Sequence, residues 1–71
     1  MQNRGTQKLV TKNIRRILEK QNKAAVELAA DLEMSESFLY AFLNGRKGVT
    51  LETLVRIADG LKVKVRDLFA E

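Results

Sequence analysis

The sequence predicts a compact all-α domain of five helices, and three observations support this class. Between turn signals the apolar residues recur three or four positions apart, which is the spacing of helices and not of strands. The chain contains no proline, no low-complexity tract and no internal repeat, so no linker divides it. Turn signals fall at Asn22, residues 33–35, residues 44–48 and Lys62. We therefore expect residues 1–71 to form a single domain, with a short basic N-terminal arm over about residues 1–7.

The first two predicted helices each bury one apolar side. The first ends at Asn22, because Asn tolerates the left-handed backbone that often terminates a helix. The second is preceded by Ala24 and therefore lacks a Ser or Thr cap. The predicted core side chains of these two helices are Val10, Ile14, Ile17, Leu18, Leu28, Ala29 and Leu32.

The third predicted helix has one apolar and one polar side. Ser35 is a good N-cap residue, and the Glu36 carboxylate beside it favours the positive end of a helix. At about 100° per residue, the apolar side carries Phe38, Leu39, Phe42 and Leu43. The polar side carries Glu36, Ser37, Tyr40, Ala41 and Asn44. Both Phe rings lie on the apolar side, so we expect them to pack in the core and not to stack on bases.

The last two predicted helices complete the core. Thr50 caps the fourth helix, and Glu52 places a negative charge in its first turn. The predicted buried stripe of this helix is Leu51, Leu54, Val55, Ala58 and Leu61. A short fifth helix is predicted around Val63, Val65, Leu68 and Phe69.

The charge is distributed unevenly along the chain. The net charge is +4, and residues 1–23 carry seven basic side chains against a single acidic one. Residues 24–45 carry four acidic and no basic side chains, and basic residues prevail again from Arg46 onward. Clustered positive charge attracts polyanions such as DNA. Charge alone is equally consistent with a face that only keeps the domain soluble.

Several classes of function lack the residues they need. The chain has no His and no Cys, which removes the usual general base, the thiol nucleophile and most transition-metal ligands. We therefore expect a protein without catalytic activity, metal or cofactor. No apolar run approaches the roughly 20 residues of a membrane span, so we expect a cytoplasmic protein that does not associate with membranes.

The second and third predicted helices are joined by only three or four residues. A connection this short forces the two helices into a tight corner, and the second helix of such a pair can enter a major groove of DNA.

Across Ile14–Leu68 the chain resembles the lambda-repressor/Cro family of helix-turn-helix domains. The matching residues include Ile14-Arg15, Glu27-Leu28-Ala29, Met34-Ser35, Leu39, Phe42, Asn44-Gly45-Arg46, Thr50-Leu51-Glu52-Thr53-Leu54, Ile57-Ala58, Leu61 and Asp67-Leu68. The resemblance implies that the third helix contacts bases and that a homodimer binds a pseudo-palindromic operator.

The chain departs from the family pattern at four positions. Glu33 and Lys62 stand where the family usually has Gly, and a left-handed backbone there costs about 1 kcal/mol each. Val49 replaces a frequent Pro before the fourth helix. Ala25 stands where relatives often carry a Gln that binds phosphate, and its methyl group cannot make that contact.

The candidate site residues follow from these positions. The residues expected to contact bases are Ser35, Glu36, Ser37, Tyr40 and Ala41, although the same face would be an ordinary solvated surface in a protein that does not bind DNA. The residues expected to contact phosphate are Asn44, Arg46, Lys47 and Arg15. In the alternative interpretation Asn44 does not contact phosphate and only caps the third helix. Some of the basic residues of the first helix, Lys8, Lys12, Arg15, Arg16 and Lys20, are also expected to touch phosphate, but the sequence does not indicate which.

The C-terminal segment is the expected dimer interface. Its apolar residues Val63, Val65, Leu68 and Phe69 are more than a short terminal helix buries in its own domain. The predicted function is a sequence-specific regulator of transcription that binds double-stranded DNA, as a homodimeric repressor or controller protein of bacterial or phage origin. At this length we expect no separate ligand-sensing domain. The alternative is a protein-interaction module with the same fold, such as an antitoxin that binds a protein partner.

Overall fold

The computed structural model describes residues 4–71, in which four α-helices and a terminal 3-10 helix form an all-helical domain without strands. The helices are α1 (Arg4–Lys20), α2 (Ala25–Asp31), α3 (Glu36–Leu43) and α4 (Leu51–Leu61), and the 3-10 helix spans Val65–Phe69. The all-α class is confirmed, with the fifth predicted helix present as a 3-10 helix. Residues 4–7 of the expected N-terminal arm belong to α1 instead, and residues 1–3 of that arm lie outside the described residues.

Two of the helix starts have the predicted side-chain caps. The Ser35 hydroxyl accepts a hydrogen bond from the Phe38 backbone N–H at 3.2 Å, and the Thr50 hydroxyl accepts one from the Thr53 N–H at 3.1 Å. α2 begins differently, because Ala24 has no side-chain oxygen. Its own backbone N–H donates instead to the Glu27 carboxylate at 2.7 Å, so Glu27 supplies a polar contact where the cap is missing.

All four α-helices end around one residue in the left-handed conformation. These residues are Asn22, Glu33, Gly45 and Lys62, with φ of 55°, 53°, 80° and 60°. After α2, for example, the Met34 N–H donates to the Ala29 carbonyl at 2.8 Å and the Glu33 N–H donates to the Ala30 carbonyl at 3.1 Å. This pair of bonds satisfies carbonyls that the helix leaves open. The prediction for Asn22 is confirmed, and Glu33 and Lys62 adopt the backbone that the family gives to Gly.

Glu33→Gly and Lys62→Gly are each expected to stabilise the domain by about 1 kcal/mol, because glycine adopts a positive φ without the steric penalty of a Cβ. Urea unfolding followed by circular dichroism measures the free energy of unfolding. Asn22→Gly is the matched control and should change it less, because Asn tolerates this backbone. An unchanged or lower unfolding midpoint in both test variants would show that their left-handed backbone carries no strain.

The core joins all five elements. Its fully buried side chains include Ile14, Leu28, Leu39, Ile57, Leu61 and Leu68. The predicted core positions of α2 are confirmed, and so are those of α1, with Ile17 partly buried. In α3, Leu39, Phe42 and Leu43 are buried as predicted, whereas Phe38 is only partly buried. No helix among residues 4–71 is long and apolar enough to cross a membrane.

The predicted buried stripe of α4 is partly wrong. Leu51 is 65% exposed and Val55 is 39% exposed, whereas Ile57 is fully buried. At about 100° per residue, Ile57 and Leu61 centre the buried side of α4, and Val55 falls outside it. Leu51 lies in the first turn, at the edge of the buried side, and remains largely uncovered.

The C-terminal segment is held against the middle of α1. The Asn13 amide, which is 1% exposed, donates to the carbonyls of Leu68 and Ala70 at 2.8 Å each. Its oxygen accepts a hydrogen bond from the Arg16 guanidinium at 2.6 Å. Leu68 is fully buried in the core of its own chain. Its expected role as a dimer-interface residue is therefore corrected, because a second copy cannot reach its side chain.

Candidate nucleic-acid interface

The corner between α2 and α3 has the geometry that the spacing predicts. Four residues, 32–35, separate the two helices. Ala29 is 1% exposed and Leu39 is fully buried, so both face the interior of the corner. The small Ala29 side chain allows the two helices to approach closely. The outer side of α3 is consequently left facing solvent.

The exposed side of α3 carries the residues predicted to contact bases. Ser35, Glu36, Ser37 and Tyr40 are exposed, and Ala41 is partly buried between them and the core. Within residues 5–71, the side chains of Glu36, Ser37 and Tyr40 have no hydrogen-bond or ion-pair partner. The Ser35 oxygen already accepts the capping bond, so its remaining contribution is a hydroxyl donor. The structure therefore brings all five predicted residues onto one surface, with three polar groups free to bind another molecule.

The loop between α3 and α4 presents two cations beside this surface. Arg46 and Lys47 are exposed and lie between two glycines. Gly45 has a φ of +80°, a backbone conformation that a residue with a Cβ adopts only under strain. The Gln7 side chain donates a hydrogen bond to the Lys47 carbonyl at 2.7 Å, which ties the loop to α1. Gln7 is a site residue that the sequence does not predict, because no local pattern relates residues 40 positions apart.

The structure joins two other predicted phosphate-binding residues directly. The Arg15 guanidinium donates to the Asn44 side-chain oxygen at 2.8 Å. Asn44 also ends α3, since its backbone N–H donates to the Tyr40 carbonyl at 2.9 Å. Both alternatives stated for Asn44 are therefore compatible, because the cap uses the backbone and leaves the side-chain NH₂ as a donor. The contact fixes Arg15 of α1 at the C-terminal end of α3.

A shallow groove runs between α1 and the α2–α3 pair, and five cations line it together with apolar side chains. We call it the α1 basic groove and define it by Lys8, Lys12, Arg15, Arg16 and Lys23. Among the described residues Glu19 is the one acidic residue that lines it, and Tyr40 of α3 forms part of its wall. Lys20 is exposed on the same helix but does not line the groove. The groove therefore borders the exposed side of α3 and has a positive electrostatic potential.

The acidic side chains of α2 have partners within the chain. Asp31 forms an ion pair with Lys23 at 2.5 Å, and Glu27 accepts the bond from the Ala24 N–H. Across the described residues no group of three or more His, Cys, Asp or Glu side chains is positioned to hold a metal ion. The site thus offers hydrogen-bonding groups and positive charge.

The profile of the Cro/C1-type helix-turn-helix DNA-binding domain matches residues 13–70. The chain belongs to this family. The resemblance to the lambda-repressor/Cro family is thereby confirmed, and α2 and α3 form the helix-turn-helix unit of a Cro/C1-type DNA-binding domain.

A solved structure supports the fold of this Cro/C1-type domain. The structure of this chain is similar to the crystal structure of a hypothetical transcription factor from Neisseria, with a TM-score of 0.87 and 17% sequence identity. The alignment covers 99% of this chain and 82% of the other. At this identity the likeness shows a shared fold. A search of curated proteins finds no match.

Proposed function

We propose that this Cro/C1-type domain is a homodimeric, sequence-specific regulator of transcription that binds a pseudo-palindromic operator in double-stranded DNA. The observation that carries the proposal is the exposed side of α3. Its free polar groups lie between two sets of cations, the Arg46–Lys47 loop and the α1 basic groove. In a helix-turn-helix domain this helix enters the major groove. The protein acts without catalysis or cofactor, in the cytoplasm of a bacterium or a phage-infected cell, as a repressor or controller protein.

The side chains of α3 determine which bases are preferred. Ser37 donates or accepts hydrogen bonds, and the Ala41 methyl group packs against a thymine methyl. The Glu36 carboxylate accepts a hydrogen bond from a cytosine amino group. Ser35 and Tyr40 bind base edges or the nearest phosphates through their hydroxyl groups. Glu36 is the one charged side chain among these five residues. We therefore expect the discrimination between base pairs to depend most on Glu36.

The cations around α3 supply affinity without base preference. Arg46 and Lys47 bind phosphates of the DNA backbone from the α3–α4 loop, which Gln7 holds in place. Arg15 and Asn44 bind a further phosphate as a pair, since their mutual hydrogen bond fixes the guanidinium before DNA arrives. A phosphate contact of this kind positions the domain along the duplex.

The dimer forms through an apolar hollow beside the C-terminal segment. Leu51, Leu54 and Phe69 line this hollow, and Leu51 and Phe69 are 65% and 37% exposed. Val63 and Val65 are partly buried against the core of their own chain and do not line this hollow. A second copy covers the side chains that line the hollow about a two-fold axis and places two α3 helices about 34 Å apart, one turn of DNA.

A binding measurement on the DNA that flanks the gene for this protein tests the proposal. A labelled duplex from this region is compared with a random duplex of equal length by gel shift at two salt concentrations. The flanking DNA should retain binding at the higher salt concentration, because base contacts do not release counterions. Equal binding of both duplexes, or binding of neither, would contradict a sequence-specific regulator.

Glu36→Gln removes one charge from the base-contacting surface while preserving its shape. We expect relaxed preference at one base pair of each half-site, by about 1–3 kcal/mol, because Gln no longer selects the cytosine amino group. Binding to a set of operators with single base changes measures this preference. An intact preference with slightly lower stability would mean that Glu36 only stabilises the start of α3. Asp59→Asn is the control, because it removes the same charge from an exposed position of α4 outside the base-contacting surface.

A protein-interaction module, such as an antitoxin with the same fold, is the second candidate. The exposed Val26 side chain of α2 favours it, together with the exposed carboxylates of Glu33 and Glu36, which have no partner within residues 5–71, because such a face suits a basic protein. In that case Glu36→Gln would strengthen binding to every DNA sequence and weaken the protein complex. Co-purification with a basic partner, combined with equal affinity for all duplexes, would support this candidate over the first.

A further inference from the structure

The α1 basic groove continues around the C-terminal end of α3. A second depression beside it is lined by Gln7, Lys8, Thr11, Asn44 and Gly45. Lys8 and Thr11 line both the groove and this depression, so the two surfaces are contiguous. Gln7 and Gly45 lead in turn to the loop that carries Arg46 and Lys47. A continuous concave surface therefore connects the middle of α1 to the α3–α4 loop.

The cations of the groove fall into two groups. Three of them have a partner within the chain, since Arg15 contacts Asn44, Arg16 contacts Asn13 and Lys23 contacts Asp31. Lys8 and Lys12 are exposed, and within residues 5–71 their ammonium groups have no hydrogen-bond or ion-pair partner. Lys8 and Lys12 are one helical turn apart and face the same side of α1. They are the two groove cations free to bind an external anion.

We propose that Lys8 and Lys12 bind phosphate groups of one DNA strand, so that this strand follows the surface from Lys12 past the Arg15–Asn44 pair to Lys47. The inference rests on the proposed function and extends its DNA contact surface beyond α3 and the α3–α4 loop. The continuity of the surface is its main support, because a sugar–phosphate backbone presents negative charge at regular intervals along its length.

Duplex DNA fits this surface better than an anionic membrane does. A helix that lies on a bilayer inserts its apolar side. The apolar side of α1 is occupied, since Val10, Ile14 and Leu18 are buried in the core. The groove also adjoins Tyr40 on the exposed side of α3, so an anion bound there is next to the surface proposed to contact bases.

The double variant Lys8→Gln/Lys12→Gln tests the inference, with Lys20→Gln/Lys64→Gln as the matched control. Both variants lose two positive charges, and both control residues are exposed and outside the groove. The probe is a fluorescein-labelled random-sequence duplex, titrated at several salt concentrations. Each lost phosphate contact should reduce the slope of log K against log salt by about 0.9, so two contacts reduce it by about 1.8 per protomer. We expect roughly tenfold weaker binding per protomer at low salt in the test variant.

Protection of lysines from acetylation provides a second measurement on the unmodified protein. With saturating duplex, mass spectrometry should show several-fold slower acetylation of Lys8 and Lys12, with Lys20 and Lys64 unchanged. Equal loss of slope in the two variants, or equal acetylation with and without DNA, would overturn the inference. If the native protein prefers its flanking DNA while the test variant matches the control, the inference fails and the proposed function stands. If the native protein binds no duplex at all, both fail.

Discussion

Leu68→Ala is expected to lower the free energy of unfolding by about 2–5 kcal/mol, the usual cost of truncating a fully buried leucine. Leu68 is fully buried and packs against the core beside α1. A domain of 71 residues has a total stability of roughly 4–10 kcal/mol. The variant should therefore lose a large fraction of its stability and unfold at a much lower urea concentration. Urea unfolding followed by circular dichroism at low protein concentration measures the effect on the monomer.

The neighbouring substitution Phe69→Ala is the matched comparison. Phe69 is 37% exposed, so its truncation should change monomer stability much less. It should instead weaken the proposed self-association, which sedimentation at tens of micromolar measures. If Leu68→Ala abolished the dimer and left the monomer stable, Leu68 would contact the second copy after all. A protein that sediments as a monomer, with no change in Phe69→Ala, would contradict the proposed dimer.

The double substitution Arg46→Ala/Lys47→Ala is expected to weaken binding to operator and random DNA by a similar factor, because phosphate contacts carry no base preference. Two lost contacts on each of two protomers reduce the slope of log K against log salt by about 3.6. At four contacts of about 0.5–1 kcal/mol each, affinity falls by roughly 30-fold to 1,000-fold. Fluorescence anisotropy at several salt concentrations measures both quantities.

The control for the loop is Lys20→Ala/Lys64→Ala, which removes the same charge from exposed positions away from α3 and its flanking loop. Its effect on the slope should be small by comparison. Intact binding to random DNA with complete loss of operator binding would show that Arg46 and Lys47 contact bases. The phosphate assignment of this loop would then be wrong.

The parts of the fold that depend on local physics could be predicted from the sequence. The caps at Ser35 and Thr50 involve residues three positions apart, and the left-handed backbone of Asn22 is a property of that residue type. The buried sides of α2 and α3 follow from helical periodicity, which also identified the exposed side of α3 as the candidate base-contacting surface. The specific roles of Ser35, Ser37 and Ala41 on that surface remain predictions.

The parts that depend on how distant elements pack could not be predicted. The burial of Leu68 and the exposure of Leu51 are decided by which neighbours cover each helix. Both residues fit an amphipathic pattern equally well. Gln7 and Asn13 bind carbonyls 40 and 55 positions away, and a polar residue in a helix gives no signal of such a partner. For the same reason the sequence does not indicate which basic residues of α1 share one surface. In the structure Lys8 and Lys12 line the α1 basic groove, whereas Lys20 does not.

The bond between Asn13 and the C-terminal carbonyls has a consequence for how a ribosome produces this domain. α1 is synthesised before the residues that pack against its middle and satisfy the Asn13 amide. Contacts between distant parts of a chain require the closure of a long loop before they stabilise anything. The nascent chain therefore leaves the Asn13 amide without these partners, and part of α1 uncovered, until residues 65–70 leave the ribosome. The domain completes its folding only when residues 65–70 are available to pack against α1.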